Sequence, residues 1–187
     1  SAPAATMSFL TVCAGAGKPF VSGTTGLSAE QMKTAAELSS ETAVLISPNM
    51  SLGVNLLFRI SEEAAKALCD FDIEIVETHH NKKKDSPSGT AAKIAEIVRK
   101  VRSGCECVYG REGIIGERKS TEIGMHSVRG GDVVGEHTVI FAGEGERFEL
   151  LHKAHSRKTF ARGALRAVHF MHGRPPGLYT MADVLGL

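Results

Sequence analysis

Apolar residues recur along this chain with two periods, and their alternation outlines an architecture. In residues 71–77, Phe71, Ile73 and Ile75 fall on one face, the period of two that predicts a strand. In residues 91–98, Ile94, Ile97 and Val98 stand at helical spacing. Residues 1–17 read as a helix with Pro3 in its first turn, Met7, Leu10 and Cys13 toward a core, and Gly15 and Gly17 at its end. Short apolar runs at 18–22 and 42–47 predict buried strands. The helix expected between them, 28–38, starts with a Ser28 cap and a Gln31 that completes a capping box. Strand and helix alternating at this spacing argue for a parallel α/β sheet. Leu52, Leu56, Phe58, Ile60 and Leu68 place a long helix over 51–68, and strands are expected at 120–128, 132–141 and 146–151. The middle one is apolar on both faces, Val133, Val139 and Phe141 on one and Val134 and Ile140 on the other, so both faces need cover. A last helix is predicted over 156–172, capped by Ser156, with Phe160, Ala164, Ala167, Val168 and Met171 as its buried stripe and Gly173 ending it.

Residues 77–90 break this pattern. They join a strand to a helix and carry adjacent histidines, His79 and His80, three lysines, Lys82, Lys83 and Lys84, and the turn Pro87-Ser88-Gly89-Thr90. Pro87 restricts the chain to a turn, Gly89 permits close approach of a ligand, and Ser88 or Thr90 can cap the next helix. Helix-terminal N–H groups and nearby cations suit a small carboxylate or phosphate ligand, to which a histidine can deliver a proton. Two blander readings stand beside this one. The stretch can be a solvated basic loop before an ordinary capped helix. A zinc site is a weaker reading, since adjacent histidines lack a spaced partner.

Composition narrows the classes. In 187 residues, 22 Lys and Arg face 21 Asp and Glu, so the formal charge of +1 gives no argument for nucleic acid or an anionic membrane. A hydrophobic content of 42% is enough to bury a core. Cys13, Cys69, Cys105 and Cys107 are scattered and read as reduced thiols of a cytoplasmic protein, and no long apolar span or signal peptide is visible.

His79-His80-x-x-Lys83-x-Asp85-x-Pro87-Ser88-Gly89-Thr90 resembles the signature of the 4-hydroxy-tetrahydrodipicolinate (dihydrodipicolinate) reductase family. The resemblance extends to Gly23-Thr24-Thr25-Gly26, to the segment from Ser47 to Asn55, to Gly110-Arg111-Glu112-Gly113, to the block from Arg129 to His137, and to the block from His152 to Arg157, in the family's order. It implies a partial Rossmann-like parallel sheet, residues 1–50 and 157–187, as the remainder of a dinucleotide-binding domain. It further implies an α+β substrate-binding and tetramerisation domain with a mixed open sheet, residues 51–156. The implied reaction is reduction of a small cyclic dicarboxylate with NADH or NADPH in diaminopimelate and lysine biosynthesis, by a cytoplasmic homotetramer without a metal.

Carried over by motif, His79 is the general acid and Lys83 a second proton donor or carboxylate clamp, while His80, Gly89 and Thr90 bind substrate. Gly23, Thr24, Thr25, Ser47, Pro48, Asn49, Met50 and Arg157 are the implied cofactor contacts, although Pro48 and Met50 stand where small and aromatic residues are usual. Lys82 and Lys84 are expected to be solvated, and Arg129, His137 and His152 to be structural. The chain has no Gly-x-Gly-x-x-Gly turn; Gly15-Ala16-Gly17-Lys18 lacks the third glycine and precedes a strand. A truncated form that binds NADH weakly by isothermal titration is therefore expected. The alternative function is a non-catalytic oligomerisation fragment.

Overall fold

The computed structural model describes residues 2–187. From the start the chain forms α1 (Pro3–Gly15), β1 (Phe20–Ser22), α2 (Ala29–Leu38), β2 (Ala43–Ile46) and α3 (Leu52–Ala67). Then come β3 (Asp72–His79), α4 (Gly89–Val101), β4 (Glu106–Tyr109), β5 (Glu122–Arg129), β6 (Gly135–Ala142) and β7 (Arg147–Ala154). The chain ends with α5 (Lys158–Met171), β8 (Gly177–Tyr179) and α6 (Met181–Leu185). Two compact units result, one from the residues up to Asn55 together with Lys158–Leu187, the other from Leu56–Arg157.

The first unit is a parallel sheet in the order β1-β2-β8. Its middle strand is a continuous apolar run because both faces are covered. Val44 packs with Leu10 of α1 and Ala35 of α2. Ala43 and Leu45 turn the other way, onto Ala167 and Met171 of α5 and Met181 and Val184 of α6. Helix α2 begins as the sequence predicts: Ser28 Oγ accepts the Gln31 N–H at 3.1 Å and the Gln31 side chain accepts the Ser28 N–H at 2.9 Å.

The second unit is a mixed sheet in the order β4-β5-β3-β6-β7, with β3 parallel to β5 and antiparallel to β6. On its inner face Ile73, Ile75, Ile123, Met125, Val139 and Phe141 pack against Ile94 and Val98 of α4 and Leu57, Ala64 and Ala65 of α3. Arg102, just past α4, ties the two helices together. Its guanidinium donates to the carbonyls of Ala65, Leu68 and Phe71 at and beyond the end of α3, groups that a helix terminus leaves without intrahelical donors. On the outer face Glu74 binds Arg111 (2.9 Å), Arg118 (3.2 Å) and His126 (2.7 Å). Burial would raise its carboxyl, but these donors hold it down at about 2.

Several expectations need correcting. α5 is not the last helix, since α6 follows it with a capping box on Thr180 and Asp183. Its stripe is Gly163, Ala167 and Met171, while Phe160 and Val168 are exposed. In α3 the buried positions are Val54, Leu57, Ser61, Ala64 and Ala65, and Leu56 and Ile60 face outward. After Leu57 the inner row of this helix continues with a serine and two alanines. The short strands β4 and β8 were not anticipated from periodicity; three or four residues are too few to show a period.

Candidate active site

The inner face of β3 changes character along its length. Ile73 and Ile75 belong to the core, and the same row continues into Glu77 and His79, both buried. Strand alternation puts these four residues on one face, so the polar pair lies at the strand's carboxyl end, beyond the apolar floor. Neighbouring strands complete a row. Ser127 and Arg129 of β5 sit opposite Glu77 and His79, His137 of β6 opposite Glu77, and His152 of β7 opposite His137.

Glu77 is at the centre, fully buried. Its Oε2 lies 2.5 Å from His79 Nδ1. Arg129 donates to both carboxylate oxygens, at 2.9 and 2.7 Å, and the Ser88 N–H donates to Oε1 at 3.1 Å. Burial would raise this carboxyl, yet hydrogen bonds from Arg129, Ser127 and His79 hold it at about 2. Glu77 is therefore an anion across the physiological range. Burial lowers the His79 imidazole from its ordinary value, against the pull of Glu77. The ring lies over Gly135: a Cβ built there would come 3.0 Å from His79 Nε2.

His137 meets His79 edge-on, with ring centroids 5.2 Å apart, and shares a 3.0 Å hydrogen bond with Ser88 Oγ. Burial, helped by the nearby His79, pushes His137 down to about 4. Ser88 is also the N-cap of α4, its Oγ accepting the Ala91 N–H at 3.2 Å. Gly89 and Thr90 are the first residues of that helix, where N–H groups and the dipole favour an anion. A Cβ on Gly89 would meet nothing within 4 Å, so nothing within the chain requires a glycine there.

Lys83 holds the Asp85 carboxylate at 2.8 Å in the loop after β3. His80 and Arg157 line one cavity of about 450 Å³, together with Asn81, Lys82, Gly131, Asp132 and Val134. The second unit thus holds His79, His80, Lys83, Gly89, Thr90 and Arg157. The first unit holds the remaining residues singled out from sequence. Gly23, Thr24 and Thr25 follow β1, and the Thr24 hydroxyl bonds Thr6 Oγ1 (2.8 Å) and Ser22 Oγ (3.1 Å). Ser47, Pro48, Asn49 and Met50 follow β2. Ser47 Oγ donates to the Asn49 carbonyl at 2.8 Å, Pro48 is exposed, and the Met50 side chain is buried in the core beneath α5. Among the described residues no group of three or more His, Cys, Asp or Glu is arranged to hold a metal, and no helix is long and apolar enough to cross a membrane.

Sequence reasoning missed Glu77 and read Arg129 and His137 only as structural. One signal was present: Glu77 and His79 are two residues apart on a strand, and so necessarily share a face. Arg129 and His137 had no comparable signal, because they arrive from other strands.

This is an α/β chain whose second unit sets a buried carboxylate–imidazole pair beside a helix N-terminus. Comparison with known proteins gives the class a family. The profile described as "Dihydrodipicolinate reductase, N-terminus" matches residues 1–50, and that of the C-terminus matches residues 53–185. A 4-hydroxy-tetrahydrodipicolinate reductase of Methanococcoides burtonii is 52% identical over 184 residues, covering 97% of this chain and 69% of the relative. That of Hahella chejuensis is 51% identical, covering all of this chain and 72% of the relative. A dipicolinate-bound dihydrodipicolinate reductase from Paenisporosarcina sp. TG-14 superposes with a TM-score of 0.80 at 26% identity, covering 98% of this chain and 70% of that one. The chain belongs to the dihydrodipicolinate reductase family, and its chemistry is that of an oxidoreductase.

Proposed function

We propose that this chain carries the substrate site and acid chemistry of an enzyme that reduces 4-hydroxy-tetrahydrodipicolinate to tetrahydrodipicolinate with NADH or NADPH, in the diaminopimelate route to lysine, with His79 as the general acid. The observation that carries the assignment is the setting of His79. It ends a core strand, its Nδ1 is held by a buried carboxylate, and it stands nine residues of loop before the N-terminus of α4. The first unit is the dinucleotide side. Parallel strands β1 and β2 end together, the Ser47 N–H donating to the Ser22 carbonyl at 3.0 Å, and open α/β sheets bind ligands at the carboxyl ends of their strands. Residues 23–25, 47–50 and Arg157 are the proposed contacts. The dinucleotide, when bound, supplies the hydride.

The second unit does the rest. The N–H groups of Gly89 and Thr90, with His80, hold a substrate carboxylate, and the open space at Gly89 leaves room for it. Lys83 is a second proton source and a carboxylate partner, exchanging Asp85 for substrate. One proton is consumed with each hydride and one water leaves. His79 delivers that proton, its Nδ1 fixed by Glu77.

In the complete enzyme, His79→Gln is expected to lower kcat by roughly 10²–10⁴-fold with little change in KM, because a general acid acts in the transition state. Lys83→Ala is expected to change both. Steady-state kinetics of the two variants decides the matter: a raised KM with kcat intact in His79→Gln makes His79 a binding residue instead.

The outer face of the second unit's sheet is the proposed homotetramer surface. It carries half-buried Val76 and Ile140 beside exposed Val128 and Leu151, an apolar patch that another copy would cover. Sedimentation equilibrium should return a tetramer that Leu151→Lys dissociates; an unaltered assembly in that variant rejects this face.

A further inference from the structure

Glu77 touches both halves of the proposed site and belongs to neither. A carboxylate pair offers about four lone-pair directions. Those of Glu77 are taken by two N–H groups of Arg129, by the imidazole of His79, by the hydroxyl of Ser127 and by the amide of Ser88, eleven residues further along the chain. Any buried carboxylate needs hydrogen bonds on its remaining lone pairs besides a counter-ion, so what distinguishes Glu77 is which groups supply them. Here the same side chain also binds the proposed acid at its rear nitrogen and the residue that caps the proposed anion site.

We infer that Glu77, oriented by Arg129, is the positioning residue of this site, fixing the His79 ring through Nδ1 and the start of α4 through the Ser88 amide. The inference rests on the reading of His79 as the acid. Its physical content is a balance. Glu77 on the rear nitrogen fixes the tautomer and favours the imidazolium. Left alone, a buried carboxylate at 2.5 Å would hold that imidazolium too firmly for an acid. Arg129, bidentate on the same carboxylate, draws off part of its field. The groups that face His79 are Glu77 on its own strand, Arg129 from β5, His137 from β6 with His152 beyond it on β7, and Lys83 and Asp85 from the loop. Glu77 is the group among them whose charge bonds directly to the ring.

The balance predicts opposite signs for two substitutions, which a merely structural role does not. In histidine-labelled protein followed by ¹H–¹⁵N NMR, Glu77→Gln should lower the titration midpoint of His79 by about one unit or more and release its fixed Nδ1–H tautomer. Arg129→Gln should raise that midpoint, and Arg129→Lys, which keeps the charge, should return it part of the way. Circular dichroism establishes that each variant is folded. Arg129 reaches the solvent edge, so its pair of variants carries the test if Glu77→Gln does not fold. In the active enzyme the acid limb of the kcat profile should move with the midpoint in each variant. A folded Glu77→Gln or Arg129→Gln protein with an unmoved His79 midpoint overturns the inference. Should His79→Gln instead leave kcat intact while the midpoints move as stated, it is the acid assignment that fails, and Glu77 still positions His79.

Discussion

At His79 the close neighbours leave little freedom. One nitrogen is on Glu77 and the other lies against the backbone of Gly135, the first residue of β6. An alanine at 135 would bring its Cβ to 3.0 Å from Nε2 and 3.4 Å from Cδ2, so the ring must turn by a few tenths of an ångström. Packing around it is close, with His137 edge-on, and a misplacement of that size at the proposed acid is costly. Gly135→Ala is therefore expected to lower kcat by roughly tenfold or more while the melting temperature hardly changes. Kinetics and a thermal melt on the same sample check both halves. Unchanged kcat would mean that the ring has room the geometry does not show.

For whole elements, local preference and tertiary packing sometimes disagree, and Gly163 is such a place. It stands inside α5, where alanine is favoured over glycine by about 1 kcal/mol. A Cβ there would come within 1.7 Å of the Met50 carbonyl oxygen, a backbone atom that cannot swing aside. Helix α5 must retreat from the segment after β2, opening the core that Met50, Ala167 and Met171 share. Gly163→Ala should thus destabilise the protein by about 2–3 kcal/mol, of the order of other overpacked sites. Chemical denaturation measures it, and a stabilised variant would show that helix propensity had won. The outer sheet face has a similar contact: Glu74 lies over Gly124, where any Cβ would meet its carboxylate.

For the molecule as a whole, burial of titratable groups sets the pH range of stability. His137 titrates at about 4 when folded, against 6.5 ordinarily, so the unfolded chain binds more protons between those values. Stability conferred by neutral His137 is complete above pH 6.5 and is lost as pH falls toward 4. His79 and His152, also lowered by burial, act in the same direction. Glu74 and Glu77, held at about 2 against 4.5, withdraw their contribution lower still, between about pH 4.5 and 2. Melting temperature should therefore decline in two stages on acidification. His137→Gln should flatten the upper stage alone; an unchanged slope between pH 6.5 and 4 in that variant would mean that His137 is not buried neutral.

The chain's periodicities already placed β3, α4, the capped start of α2 and the alternation behind the parallel sheet, because these depend on residues close together in sequence. The polar loop at 77–90 was legible for the same reason: its histidines, lysines and Ser88 cap are contiguous. What surrounds His79 was not. Arg129 and His137 reach Glu77 only because β5 and β6 flank β3 in a particular register, and a one-residue slip would turn both away. The inner row of α5 likewise runs through Gly163, where the apolar pattern gave no signal, since the close approach of the Met50 carbonyl is settled between segments distant in the chain. Short-range chemistry sets Glu77, His79 and the Ser88 cap in one stretch of chain; long-range packing supplies the arginine and the second histidine that close around them.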